Sequence, residues 1–217
     1  MLPSRFMHNF TISFYLFLLS LLFMPASQAQ SKKPAQENII VDANYTLESS
    51  LAGLQFPDSI RKTLQLVTVT YYSFDNKLHL GQLVIHKELA KDITAIFEEL
   101  RKKHFKIEKV IPIVKYGWND DSSMADNNTS AFNYRVVAHT TRLSNHSWGR
   151  AVDINPRLNP QFVKGVPSPP GSTYNSKVEG TITAKSFVVK LFKQRGWRWL
   201  GTLTSREDYQ HFDKMAR

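Results

Sequence analysis

A histidine and an aspartate seven residues apart, with a glycine between them, dominate what residues 144–156 can become. The stretch reads Ser144-Asn145-His146-Ser147-Trp148-Gly149-Arg150-Ala151-Val152-Asp153-Ile154-Asn155-Pro156. On a single helix that separation rises about 10 Å. It is too far for two side chains meant to share an ion whose ligands each sit about 2 Å away. From Ala151 the chain alternates, with Ala151, Asp153 and Asn155 on one face and Val152 and Ile154 on the other. A turn at Gly149 leading into a strand fits both features. Such a bend brings His146 back over the face that carries Asp153. Two ordinary surface residues would give the same spacing, so the pair needs company before it means anything.

Two further pieces supply it. The chain has no cysteine, which excludes disulfides and thiolate metal sites and leaves His and carboxylate as the ligands for any metal. Near the end stands Glu207-Asp208-Tyr209-Gln210-His211-Phe212-Asp213. Catalytic zinc takes three protein ligands and keeps a fourth position for water, and His211 can be the third. Asp208, three residues earlier, is placed to take the proton that such a water gives up and pass it to a leaving amine. Phe212 would point the other way, into the core. Upstream, Ser130-Ala131-Phe132-Asn133-Tyr134-Arg135 offers an arginine that can hydrogen-bond a polarised carbonyl and the oxyanion that follows. By itself Arg135 reads better as half of a surface ion pair.

The rest of the chain outlines an α+β domain. Leu66 to Tyr72 reads as a strand, Phe74-Asp75-Asn76-Lys77 as a turn, and Leu78 to His86 as the hairpin partner. Leu89, Ile93, Ile96, Phe97 and Leu100 recur at helical spacing. Residues 117–131, rich in Asp, Asn and Ser, read as loop, as does Pro167 to Gly171. A second helix is predicted over Thr183 to Gln194, stopped by Gly196. Trp197 to Leu200 and Gln210 to Met215 read as short strands. Hairpins and two main helices without a βαβ rhythm predict one central antiparallel sheet with flanking helices.

Ser144-x-His146-x-x-Gly149-x-Ala151-x-Asp153 matches, position for position, the motif S-x-H-x-x-G-x-A-x-D of the VanY-like zinc peptidases. That family holds D-alanyl-D-alanine carboxypeptidases, D,D-dipeptidases and L-alanyl-D-glutamate endopeptidases. Asp208-x-x-His211 resembles its acid-x-x-His element, and Arg135 stands where its catalytic arginine precedes the first ligand. The resemblance runs from about Leu66 to Phe212 and is closest to the endopeptidase-like branch. It implies that His146, Asp153 and His211 bind Zn2+, that Asp208 is general base and acid, and that Arg135 stabilises the transition state. Ser144 would support the site or contact substrate. It implies the hedgehog/D-Ala-D-Ala-peptidase-like fold and peptidoglycan stem peptides as substrate. Two stretches depart from the family pattern: Tyr174-Asn175-Ser176-Lys177 where a Tyr-x-x-Arg is expected, and Gly196-Trp197-Arg198-Trp199-Leu200-Gly201 where Gly-Trp-x-Trp-Gly-Gly is common. Neither touches a ligand position, and both bear on which bond is cut.

Residues 1–29 read as a secretory signal: Arg5, then an uncharged apolar run from Thr11 to Met24, then Pro25 and Ser27-Gln28-Ala29, with cleavage after Ala29. The alternative is an uncleaved anchor, but the run is shorter than the roughly 20 residues a bilayer requires. Residues 30–65 read as a polar lead-in and 66–217 as the zinc peptidase domain. Removing residues 1–29 leaves 27 basic and 18 acidic side chains, a formal +9. An exported chain so charged is drawn to polyanions such as wall polymers; a solubilising surface would carry the same charge.

The expectation is therefore a monomeric, exported enzyme, periplasmic or extracellular, with no stable membrane span in its mature form. Nucleic-acid binding conflicts with the export signal and with the lack of Lys/Arg-aromatic clustering. A non-catalytic zinc module of the hedgehog-like type is the alternative, since a shared fold does not guarantee turnover. Asp208 and Arg135 would be dispensable there.

Overall fold

The computed structural model describes residues 38–138, 140–203 and 207–215; the predicted signal peptide and His139 lie outside them. From the N-terminal side come β1 (Ile40–Val41), α1 (Leu47–Ser50) and α2 (Asp58–Arg61). Then follow β2 (Leu64–Tyr72) and β3 (Leu78–His86), nine residues each and paired antiparallel from Leu64↔His86 to Tyr72↔Leu78. β1 adds to the far edge of β3 in parallel. Part of the expected lead-in is thus built into the fold: Leu51 and Ile60 bury against Leu64, Val84 and Phe132 in a small second core.

Helix α3 (Ala90–Lys102) is amphipathic as its spacing predicts, with Ile93, Ile96, Phe97 and Leu100 buried and Asp92 and Lys102 at opposite ends in the orientation the helix dipole favours. β4 (Lys109–Val110) pairs in parallel with β5 (Asn128–Thr129). Between them lies α4 (Asp120–Ala125), where the sequence reads as loop. The Asn119 side chain caps it by accepting from the Ser122 amide at 2.7 Å, and Asp120 and Asp121 sit in its positive first turn. Asn, Asp and Ser serve turns and helix caps alike, so their composition could not separate the two.

The remaining elements are β6 (Ala151–Asp153), β7 (Gln161–Val163), β8 (Val166–Ser168), α5 (Phe187–Gln194), β9 (Arg198–Trp199), β10 (Glu207–Asp208) and β11 (His211–Asp213). α5 starts four residues later than predicted because Ser186 is extended and its hydroxyl donates to the Thr183 carbonyl at 2.8 Å. The fold is α+β, but the single central antiparallel sheet is corrected. The described residues form three three-stranded sheets, ordered β1-β3-β2, β10-β7-β8 and β6-β11-β9, and the two-stranded β4-β5. One buried cluster draws on β2, β3, α3, β4, β6, α5, β9 and β11.

Within that cluster, alternation places the site. Val152, Ile154 and Phe212 enter the core, so Asp153, His211 and Asp213 face the opposite way. Gly149 makes the bend. Its φ is +62°, and a Cβ there would lie 2.6 Å from the His86 nitrogen and 2.8 Å from Leu64 Cδ2. Its carbonyl also accepts from the His86 amide at 2.8 Å. Gly149→Ala should therefore lower stability by about 2–4 kcal/mol, combining left-handed strain with overpacking. Thermal denaturation checks this, and an unchanged Tm would contradict the close approach.

Candidate metal centre and its cleft

Ser144 begins the site. It is extended, and its hydroxyl accepts from the His146 amide at 3.3 Å, capping a 3-10 turn over Asn145–Trp148. Gly149 ends the turn and β6 starts two residues later. The His146 Nδ1–H donates to the Ala131 carbonyl, which turns Nε2 toward β6 and β11. These strands pair His211 opposite Asp153. A bridge between Ser130 and Asp153, closed by amide bonds of 2.9 and 3.1 Å, ties the Ala131 segment to the same edge.

The three predicted ligands converge. His146 Nε2 lies 3.2 Å from His211 Nδ1 and 3.1 Å from Asp153 Oδ2, and His211 Nδ1 lies 2.8 Å from Asp153 Oδ1. Among the described residues they form a buried His-Asp-His group whose ligand atoms all lie within 4.8 Å of one another. Ligands about 2 Å from a tetrahedral ion are separated by about 3.3 Å, so these spacings fit one face of such a site. The group could hold a divalent ion.

Outer partners hold the ligands in place. His211 Nε2 lies 3.5 Å from Asp213 Oδ2. Asp213 in turn accepts from Arg198 at 2.7 and 2.8 Å and from Asn145 Nδ2 at 2.7 Å. Metal-bound histidines commonly present their second nitrogen to such an oxygen, which fixes the ring.

The electrostatics of the metal-free group follow from burial and charge. Burial alone would raise the Asp153 carboxyl, but the His146 and His211 imidazoles outweigh it and hold the group well below the usual carboxylate range. Burial disfavours charge on His211, yet Asp153 and Asp213 overcome it and raise the imidazole to about 10. His211 therefore carries a proton at neutral pH when no metal is bound, and a metal must displace it. Metal uptake is expected to release protons and to weaken as pH falls. Calorimetric titration with zinc in two buffers of different ionisation enthalpy checks this; identical apparent heats would contradict it.

The other predicted residues line the same cleft of about 470 Å³: Asp208, Arg135 and Ser144 stand beside the three ligands. Asp208 is buried on β10, and its Oδ2 accepts from Gln161 Nε2 on β7 at 2.6 Å. The Arg135 backbone is held by Ser147, whose hydroxyl accepts from the Arg135 amide at 2.9 Å and donates to its carbonyl at 2.7 Å. Its guanidinium Nη2 lies 2.7 Å from Asp120 Oδ2. Trp197 and Trp199 are core residues, whereas Trp148 is exposed. Where the Gly-Trp-x-Trp stretch departs from the family, Leu200 lines the cleft.

Several contributors escaped the sequence reading. Asp213 was within reach, because it stands two residues from His211 on one strand and so shares its face. Gln161 and Asp120 gave no local signal, since sheet pairing and a short helix bring them in from 47 and 15 residues away.

Residues 138–214 match the family model described as D-alanyl-D-alanine carboxypeptidase. The matched stretch holds His146, Asp153, Asp208 and His211, and begins just after Arg135. It bears out the resemblance to the VanY-like family and supports a peptidase. No curated protein and no solved structure matches the chain. Among the described residues no helix is long and apolar enough to cross a membrane.

Proposed function

We propose that the protein is a zinc-dependent peptidase that hydrolyses peptidoglycan stem peptides, of the L-alanyl-D-glutamate endopeptidase or D-alanyl-D-alanine carboxypeptidase type. The observation that carries this reading is the convergence of His146, Asp153 and His211 in one cleft with Asp208 and Arg135. Zinc held by those three side chains would supply a water acidified toward neutrality and a Lewis acid for the scissile carbonyl. Asp208 accepts the water's proton on its carboxylate and delivers it to the leaving nitrogen. Gln161 holds the orientation of the Asp208 carboxylate by donating to its Oδ2. Arg135 donates to the carbonyl oxygen as negative charge grows there. Ser144 supports the site from the turn that carries His146 and can also meet substrate from the cleft wall.

The mature protein acts outside the cytoplasm as a monomer, delivered by residues 1–29, with 30–65 leading into the catalytic domain. Its surplus of basic residues favours an anionic wall. The test is metal analysis of the purified protein followed by incubation with defined muropeptides, with products read by mass spectrometry. One zinc per chain and cleavage at one of the two stem-peptide bonds is the expected result. Bound zinc with neither bond cut would overturn the enzyme reading in favour of the non-catalytic module.

A further inference from the structure

Arg135 approaches the cleft on a long side chain with many rotamers, and such a group stabilises a transition state only if something holds it in place. Its backbone is pinned by Ser147, but that leaves the guanidinium free to swing. Asp120 is the group that meets it, with Oδ2 2.7 Å from Nη2. Asp120 is itself fixed twice. It is the first residue of α4 behind the Asn119 cap, and its Oδ1 accepts from Asn133 Nδ2 at 3.1 Å. Asn133 in turn lies two residues before Arg135, with its amide bonded to the His146 carbonyl at 3.2 Å. Asp120 and Arg135 both line the cleft that holds His146, Asp153 and His211.

An ordinary surface ion pair would explain the contact alone. It does not explain the Arg135 Nε–H, which is buried without an acceptor among the described residues. A buried donor left unmade is costly, and its usual remedy is a water or a ligand oxygen. We propose that Asp120 is a positioning residue: it holds the Arg135 guanidinium through Nη2 and so presents the Nε–H to a substrate oxygen in the cleft. The inference rests on the peptidase reading given above and adds to it a residue outside the matched family segment. Asp120 also neutralises part of the guanidinium charge, which weakens its pull on an oxyanion; orientation outweighs that loss because a swinging cation delivers little of its field to one atom.

The test uses the zinc-loaded, full-length mature protein. Asp120→Ala should lower kcat about 10-fold or more with little change in KM, leaving zinc content and Tm near wild type, since a partly exposed pair contributes little to stability. Ser122→Ala, an exposed change on the same helix outside the cleft lining, should leave kcat within about 2-fold. In an Arg135→Ala background, Asp120→Ala should cost nothing further, because the two act as one unit.

A second readout is independent of turnover. The Arg135 Nε–H resonance, identified by its loss in Arg135→Lys, should be sharp in wild type and broadened in Asp120→Ala. Equal losses from Asp120→Ala with and without Arg135, or an unchanged Nε–H line, would overturn the proposal. If the wild type cut no stem peptide, the peptidase reading would fail, and the resonance alone would decide whether Asp120 orders Arg135.

Discussion

Replacing Asp208 with alanine is expected to lower kcat/KM on a stem peptide by about 10²–10⁴ while leaving bound zinc unchanged. The magnitude is that of losing a positioned general acid-base. The separation of the two readouts follows from the fold. Asp208 sits on β10, held by Gln161 from β7, whereas the ligands His211 and Asp153 sit on the paired strands β11 and β6. Removing the carboxylate leaves that pairing and the Phe212 packing beneath it intact. Metal analysis and steady-state kinetics on the same preparation check it. Full activity in Asp208→Ala would mean that another group moves the proton.

His211→Ala should behave differently, losing metal and turnover together. A partner in the outer shell of a metal typically contributes 10–100-fold in affinity, so loss of a direct ligand is expected to cost more than about 100-fold in zinc binding. Activity should fall to background with it. The variant should also be less stable without metal, by about 3 kcal/mol, because buried Asp153 loses one of the two imidazoles that hold its charge. Competition with a chromogenic chelator measures the affinity, and thermal denaturation of the metal-free protein measures the stability. Undiminished zinc binding in His211→Ala would remove the third ligand from the account. Asp213→Asn, acting through His211 Nε2, belongs in the smaller 10–100-fold range.

Much of this site could be read in the sequence because its signals are local. Gly149 announces the turn, the alternation after Ala151 announces the strand, and the nine-residue strands β2 and β3 and the helix α3 are long enough to show their periods. What escaped was short or assembled from a distance. β6, β9, β10 and β11 have two or three residues each, too few to display a period or reveal a partner. Four small sheets therefore looked like one large one. α4 was hidden because its cap residues are also turn residues. In the expected lead-in, the scattered Leu51 and Ile60 gave no periodic signal, yet both are buried against the β2-β3 hairpin. The residues that steady the cleft, Gln161 on Asp208 and Asp120 on Arg135, depend on those same short elements.

The most direct test is crystallographic, with data collected on either side of the zinc absorption edge from protein loaded with one equivalent of the metal. The expected result is one anomalous peak bonded to His146 Nε2, an Asp153 oxygen and His211 Nδ1 at about 2.0–2.2 Å, with its remaining position open to the cleft. A peak elsewhere on the protein, or no peak while the two imidazoles and the carboxylate stay hydrogen-bonded to one another, would contradict the metal centre and the hydrolysis built on it.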